Sequence, residues 1–131
     1  MELLEKYIKE IAEDLKIDEF NIKDVQMRTP SRKHFWVARL INHKIDLEKL
    51  KKKKKSIMKS LIKIAEDNSP VILSKLNLER SIEETNEIQD INEKIRENEL
   101  IIELLEKTEK TFSSLTYDIK NCVEIMKAEQ M

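Results

Sequence analysis

A four–three spacing of apolar residues, sustained from Ile88 to Met126, constrains this chain more than any other feature. It runs Ile88, Ile91, Ile95, Asn98, Ile102, Leu105, Glu109, Phe112, Thr116, Ile119, Val123, Met126, and nine of the twelve positions are apolar. Such spacing places one continuous stripe along an α-helix. Leu100, Ile101, Leu104, Leu115 and Ile125 widen the stripe. The pattern predicts a single helix from about residue 79 to 128. A helix of roughly 40 residues spans about 60 Å, more than one other helix of the same chain is expected to cover. Self-association into a helical bundle follows as an expectation, through Ile95, Ile102, Leu105, Phe112, Ile119, Val123 and Met126. Asn98, Glu109 and Thr116 interrupt the stripe. They either set register or subunit number, or are polar positions tolerated near a frayed edge.

A second stripe runs through Trp36, Leu40, His43, Leu47, Leu50, Lys54, Ile57, Leu61 and Ile64, seven of the nine apolar. Its middle carries five consecutive lysines, Lys51 to Lys55, followed by Lys59 and Lys63. At about 100° per residue, Lys44, Lys51, Lys52, Lys55, Lys59 and Lys63 fall in an arc of roughly 120° turned away from the seam. Like charges at i,i+4 repel by about 0.2–0.5 kcal/mol per pair. No acid lies between Lys49 and Lys63 to relieve them. A polyanion laid along the helix would relieve that repulsion and gain from counterion release. The plain alternative is a solvated lysine face. Lys54 falls in the seam and is expected to carry its amine to an edge. Just before this run, Arg32, Lys33 and Arg39 surround Phe35 and Trp36. Cations interleaved with aromatics suit a single-strand binder that tracks phosphates and stacks bases. Trp36 lies in the seam, which favours a core role, and Phe35 is the freer ring.

The rest of the composition agrees with long helices and few connections. Glycine is absent, so Gly-rich phosphate loops are excluded, and Pro30 and Pro70 fall between helical patterns. The fold class expected is all-α: short N-terminal helices, a long basic helix and a long C-terminal helix. Residues 2–15 read as an amphipathic helix with Leu4, Ile8, Ile11 and Leu15 on one face. Asp18 is a candidate cap for a short segment through Gln26. Thr29 before Pro30 resembles a helix start, with Ser31 as another cap, so the basic helix is expected over about 31–66. The residue before Pro70 closes it, and 70–76 is a short apolar piece expected to be helical. The organisation expected is one structural unit, with 1–66 a DNA-binding region and 67–131 an oligomerisation region.

Net charge is −1 but unevenly placed. Residues 28–63 carry thirteen Lys and Arg against Asp46 and Glu48 alone, giving +11 between flanks of −4 and −8. That suggests a localised anion site. The acidic flanks could equally neutralise the band within or between subunits. Cys122 is the single cysteine, which excludes an intrachain disulfide and suits a reducing compartment. No signal peptide or transmembrane stretch is read, and a cytoplasmic location is expected. His34 and His43 are nine apart with no cysteine nearby, so no metal or other cofactor is expected, and His43 reads as a packed, hydrogen-bonded seam residue. No nucleophile motif, Walker loop or dinucleotide fingerprint occurs, and the carboxylates alternate with cations as a solvated face would, so no enzyme activity is expected.

Several stretches together resemble the UvsY-like family of phage recombination mediators. They are Asp14-Leu-Lys-Ile-Asp18, the Arg28-Thr-Pro30 before the basic helix, Leu47-Glu-Lys-Leu-Lys51, and above all Leu104-Leu-Glu-Lys107 with Leu115-Thr-Tyr-Asp-Ile-Lys-Asn-Cys-Val-Glu124. Family members show a run like Ile-Lys-Asn-Ala-Ile-Glu at the last. The resemblance implies a non-enzymatic protein that binds single-stranded DNA and helps load a UvsX-like phage recombinase onto strands coated by single-stranded-DNA-binding protein. It also implies a homo-oligomer, a closed ring of about six or seven subunits held by the C-terminal helix. Some members carry a Lys-Ala-Arg-Leu-Asp-Tyr-Tyr-like segment late in the basic region. Here Lys59-Ser-Leu-Ile-Lys-Ile-Ala65 keeps the lysine but has Leu61 for the arginine and lacks the tyrosines. The DNA-binding residues expected are therefore Arg32, Lys33, Phe35, Arg39, Lys44, Lys51, Lys52, Lys55, Lys59 and Lys63. The rival reading is a coiled-coil adaptor or chaperone-like oligomer whose lysines meet an acidic protein surface. Membrane-surface binding is a third, disfavoured because the seam opposite the lysines is expected to be buried.

Overall fold

Two helices of nearly equal length carry the chain. The computed structural model describes residues 2–68 and 75–130. In order they form α1 (Glu2–Leu15), α2 (Ile22–Asn68), α3 (Lys75–Glu83) and α4 (Asn86–Gln130), with no strand among the described residues. The all-α expectation holds. The expected apolar piece at 70–76 begins outside the described residues. The chain clusters into two compact units: Met1–Asn42 with Leu100–Met131, and His43–Glu99. Each draws on both the 1–66 and the 67–131 segments.

In the first unit α1 docks through Tyr7 and Ile11, which are buried, while Ile8 is half exposed. The inner face is thus centred one residue away from the predicted Ile8 position, on Leu4, Tyr7, Ile11 and Asp14. Polar Asp14 is admitted there because it has partners, described below. Tyr7 meets Trp36 edge-on, with ring centroids 5.5 Å apart at 84°. Val25, Trp36 and Leu40 of α2 and Ile101, Ile102, Leu105, Phe112, Leu115 and Ile119 of α4 complete the buried set.

The break predicted at Arg28-Thr-Pro30 does not occur, because α2 runs straight through Pro30. Its start lies earlier, where Asp18 and Asn21 close a turn on each other. The Asp18 carboxylate accepts the Asn21 amide at 2.9 Å, and the Asn21 side-chain oxygen accepts the Asp18 amide at 2.8 Å. The Asn21 carbonyl then takes the first helical bond, from the Val25 amide. Proline in a helix interior removes one donor and crowds the carbonyl four residues back, here that of Gln26. Gln26 and Pro30 are both exposed, so water can serve that carbonyl. Thr29 is buried and its hydroxyl donates to the Val25 carbonyl, while Val25 and Trp36 anchor the helix on either side of the proline. Tertiary anchoring outweighs the local signal.

In the second unit Ile82, Ile88 and Ile91 form a buried cluster, with Leu50, Ile57, Met58, Leu61, Ile62 and Ile95 packed against it. The single helix predicted from about residue 79 is interrupted before Asn86. Thr85 accounts for the break: its carbonyl accepts the Gln89 amide at 3.0 Å and its hydroxyl donates to the Ile82 carbonyl at 2.6 Å. The Gln89 side-chain amide donates to the Glu83 carbonyl at 2.8 Å. In a straight helix Ile82 and Ile88 would stand about 120° apart, on different faces. The turn brings both into one cluster. His43 and the buried Asn98 pair reciprocally: His43 Nδ1 lies 2.8 Å from Asn98 Oδ1, and Asn98 Nδ2 donates to the His43 carbonyl at 2.9 Å. Asn98 therefore sets register inside the chain, where one matched pair satisfies a polar group at low exposure.

Most of the α4 stripe is covered by the chain itself: Ile88, Ile91, Ile102, Leu105, Phe112 and Ile119 are all buried. The chain itself thus covers more of the stripe than expected, α2 having 47 residues against 45 for α4, while Thr116 is exposed and Val123 and Met126 are half-buried. Replacing Phe112 with Ala should cost about 3–5 kcal/mol by leaving a core cavity. The measure is the urea midpoint at unchanged slope.

Candidate nucleic-acid interface

Burial of one side of α2 decides which lysines are free. Leu50, Ile57, Leu61 and Ile62 turn toward the Ile82–Ile88–Ile91 cluster. Lys44, Lys51, Lys52, Lys55, Lys59 and Lys63 consequently point out and are exposed. Among the described residues, no ion pair engages Lys51, Lys52, Lys55, Lys59 or Lys63, whereas Lys44 has a partner. Lys51, Lys55, Lys59 and Lys63 climb in i,i+4 steps over about 18 Å of helix, a row of ammonium groups facing water. Lys54, placed in the seam by its spacing, is half-buried and reaches Glu83 at 3.4 Å. That exposed-edge pair adds at most about 1 kcal/mol, but it accounts for the one lysine of the 51–63 run that is half-buried.

The arginines have a different job. Arg32 donates from Nε at 2.8 Å to an Asp14 oxygen that lies 2.7 Å from its Nη2 in the same ion pair and also accepts the Trp36 indole N–H at 2.7 Å. Arg39 donates to Glu10 at 2.9 Å. The Arg32 and Arg39 guanidinium carbons lie 4.1 and 3.9 Å from the Phe35 ring centroid. Arg39 also sits 4.9 Å from the rings of Tyr7 and Trp36. Phe35 is thus occupied by two cations of its own helix, and both cations are held by carboxylates of α1. Of the residues expected to bind DNA, Arg32 and Arg39 thus clasp α1 to α2, and Phe35 packs against their guanidinium groups. Lys33 is half-buried in the same unit. Trp36 is 1% exposed, the core position that its seam spacing favoured. The sequence reading missed Glu10 and Asp14. Their i,i+4 spacing in α1 opposite Arg32 and Arg39, seven apart in α2, was the available signal.

Of the residues expected to join subunits, Ile102, Leu105, Phe112 and Ile119 are buried within the chain, and Ile95 packs on the Ile82–Ile88–Ile91 cluster. Val123 and Met126 are half-buried. Ile119 and Val123 line a cleft of about 570 Å³ with Thr29, Pro30, Lys120 and Lys127. Tyr117 and Ile125 are exposed on the same stretch of α4. Among the described residues no group of three His, Cys, Asp or Glu side chains is placed to hold a metal ion. No described helix is long and apolar enough to cross a membrane.

No family model and no curated protein matches this sequence. The structure is similar to the crystal structure of the recombination mediator protein UvsY of bacteriophage T4. The TM-score is 0.82 over 98% of each chain, at 12% sequence identity. At that identity the likeness is one of fold.

Removing the Asp14 carboxylate would strand Arg32 and the Trp36 indole N–H together. Asp14→Ala should destabilise the protein by about 1–3 kcal/mol, and tryptophan fluorescence should show Trp36 becoming more accessible to quencher.

Proposed function

We propose that this chain is a recombination mediator: a non-enzymatic protein that binds single-stranded DNA along the lysine row of α2. In this role it helps load a recombinase onto strands coated by single-stranded-DNA-binding protein, in the cytoplasm of the host cell. The observation that carries the reading is the row Lys51, Lys55, Lys59 and Lys63, exposed and without internal carboxylate partners on a helix whose other side is buried. The fold likeness to a phage recombination mediator supports it.

The chemistry is phosphate neutralisation. Ammonium groups on four-carbon stems act as mobile point charges and read no base edges. Binding is therefore sequence-tolerant, and its affinity falls with salt at a slope of about −0.7 per phosphate neutralised on a single strand. With no free ring beside the cations, the lysine row works without a stacking platform. A single row of this kind is weak. Copies joined in a ring act on one strand at high effective concentration and multiply it.

The test is anisotropy of a labelled oligonucleotide over a salt series. Lys51→Glu, Lys55→Glu and Lys59→Glu together should abolish binding while the helical circular dichroism is unchanged. Affinity retained at low salt by that triple variant would refute the site. Self-association belongs to the same proposal and is assigned to the C-terminal stretch of α4, at the half-buried Val123 and Met126. Met126→Glu should shift light scattering toward smaller species and weaken DNA binding through lost multivalency.

A further inference from the structure

The last turns of α4 carry opposite charge on their two sides. One side faces the cleft of about 570 Å³, where Lys120 and Lys127 stand over an apolar floor of Pro30, Ile119 and Val123. Glu124 is the one acid in the lining. Lys23 and Lys33 continue the same side of α2, three residues before Gln26 and seven after it. Asp24 lies about 160° round α2 from Gln26, and Glu109 is two turns up α4 from Thr116. The other side of the same stretch is reversed. Residues two apart on a helix stand about 160° apart, so Asp118, Ile125 and Glu129 back onto Lys120, Val123 and Lys127. Asp118, Ile125 and Glu129 are all exposed, Ile125 at 59%. From Thr111 to Gln130 that side carries no cation. Among the described residues no ion pair engages Lys120, Lys127, Asp118 or Glu129.

Two complementary patches on opposite sides of one helix cannot meet within one copy; they can meet between copies. A nucleic-acid strand would suit the lysines and be repelled by the outer face, and a basic protein would do the reverse. A second copy of this chain satisfies both. We propose that the cleft of one copy receives the Asp118–Ile125–Glu129 face of a second copy's α4, laid parallel to its own. A shift of two residues, about 3 Å along the axis, sets Ile125 of the second copy against Val123 and its Glu129 against Lys127. Its Asp118 then stands about 6 Å along the axis from Lys120, within reach of an extended four-carbon stem. The inference rests on the self-association reading and deepens it by naming the surface that Val123 meets. The contact joins two different patches, so each copy gives one and takes the other, and assembly runs past two copies.

The experiment is sedimentation of the full-length chain and two variants, Lys120→Glu/Lys127→Glu in the cleft and Ile125→Glu on the outer face. All three positions are exposed, so denaturation midpoints should stay at the wild-type value. The unaltered chain should sediment as more than two copies, and each variant alone as a monomer. Mixed in equal amounts, the two variants should stop at a dimer. One intact cleft then meets one intact face, and the two altered surfaces, both acidic, repel. Adding Asp118→Lys and Glu129→Lys to the cleft variant exchanges the charges and should restore wild-type sedimentation. Wild-type sedimentation of the cleft variant or of Ile125→Glu would overturn the contact. A mixture that stays monomeric, or an unaltered chain that stops at a dimer, would overturn it too. If Met126→Glu dissociates the oligomer and these variants do not, self-association stands and this contact falls. An unaltered chain that stays monomeric at all concentrations removes both.

Discussion

A helix with five lysines in a row holds together because its other side is buried, and the rest of the molecule follows from that. The row from Lys51 to Lys63 contains three i,i+4 repulsions, each about 0.2–0.5 kcal/mol. Against them stand Leu50, Ile57, Leu61 and Ile62, packed on Ile82, Ile88 and Ile91. Full burial of each such side chain contributes about 1.5–3 kcal/mol, and partial burial a fraction of that. Even halved, four of them exceed the repulsion several-fold. The charge is thus carried by packing, and Lys51, Lys55, Lys59 and Lys63 have no acid paired with them among the described residues. The short α3 is part of this arrangement. Ile82 reaches the cluster only because Thr85 turns the chain between α3 and α4.

Asp14 does for the first unit what the isoleucine cluster does for the second. One half-buried carboxylate oxygen accepts an N–H of Arg32 and the indole N–H of Trp36 while pairing with the Arg32 charge. Charged acceptors make the stronger class of hydrogen bond, and sharing one between two donors leaves neither stranded. The result is that two of the chain's five arginines serve structure. The sign of a charge is written in the sequence, but its partner is not, and here the partner decides between clasp and interface.

What could be read beforehand was what periodicity encodes. The amphipathic α1, the lysine face opposite a seam, the inward Lys54 and the packed His43 all follow from residue spacing on a helix, which depends only on backbone geometry. Pro30 and the helix break before Asn86 were misjudged in opposite directions. Pro30 has a strong local preference against a helix interior, yet its lost bond faces water and Val25 and Trp36 hold the helix on either side. Thr85 has a weak preference, yet its carbonyl and hydroxyl terminate one helix and start the next. Both outcomes depend on neighbours remote in sequence. The same holds for the C-terminal stripe, where Phe112 and Ile119 look the same whether a second copy or the chain's own core covers them.

The lysine track proposed for this chain is of a kind that allows likeness of fold without likeness of sequence. A helical core of this type asks for apolar residues at the right intervals, and Leu, Ile and Val exchange there at little cost if volume and pattern are kept. A phosphate track asks for positive charge on an exposed face and makes no demand on a particular side chain, since nothing in it reads a base. Leu61, where an arginine would stand in the motif of some mediators, is half-buried and packs on the Ile82–Ile88–Ile91 cluster. The cations stand on the neighbouring face, at Lys59 and Lys63. Moving a charge by one helical step preserves an electrostatic surface while erasing a motif, so under the proposed reading function rests on the face of the helix and not on its letters.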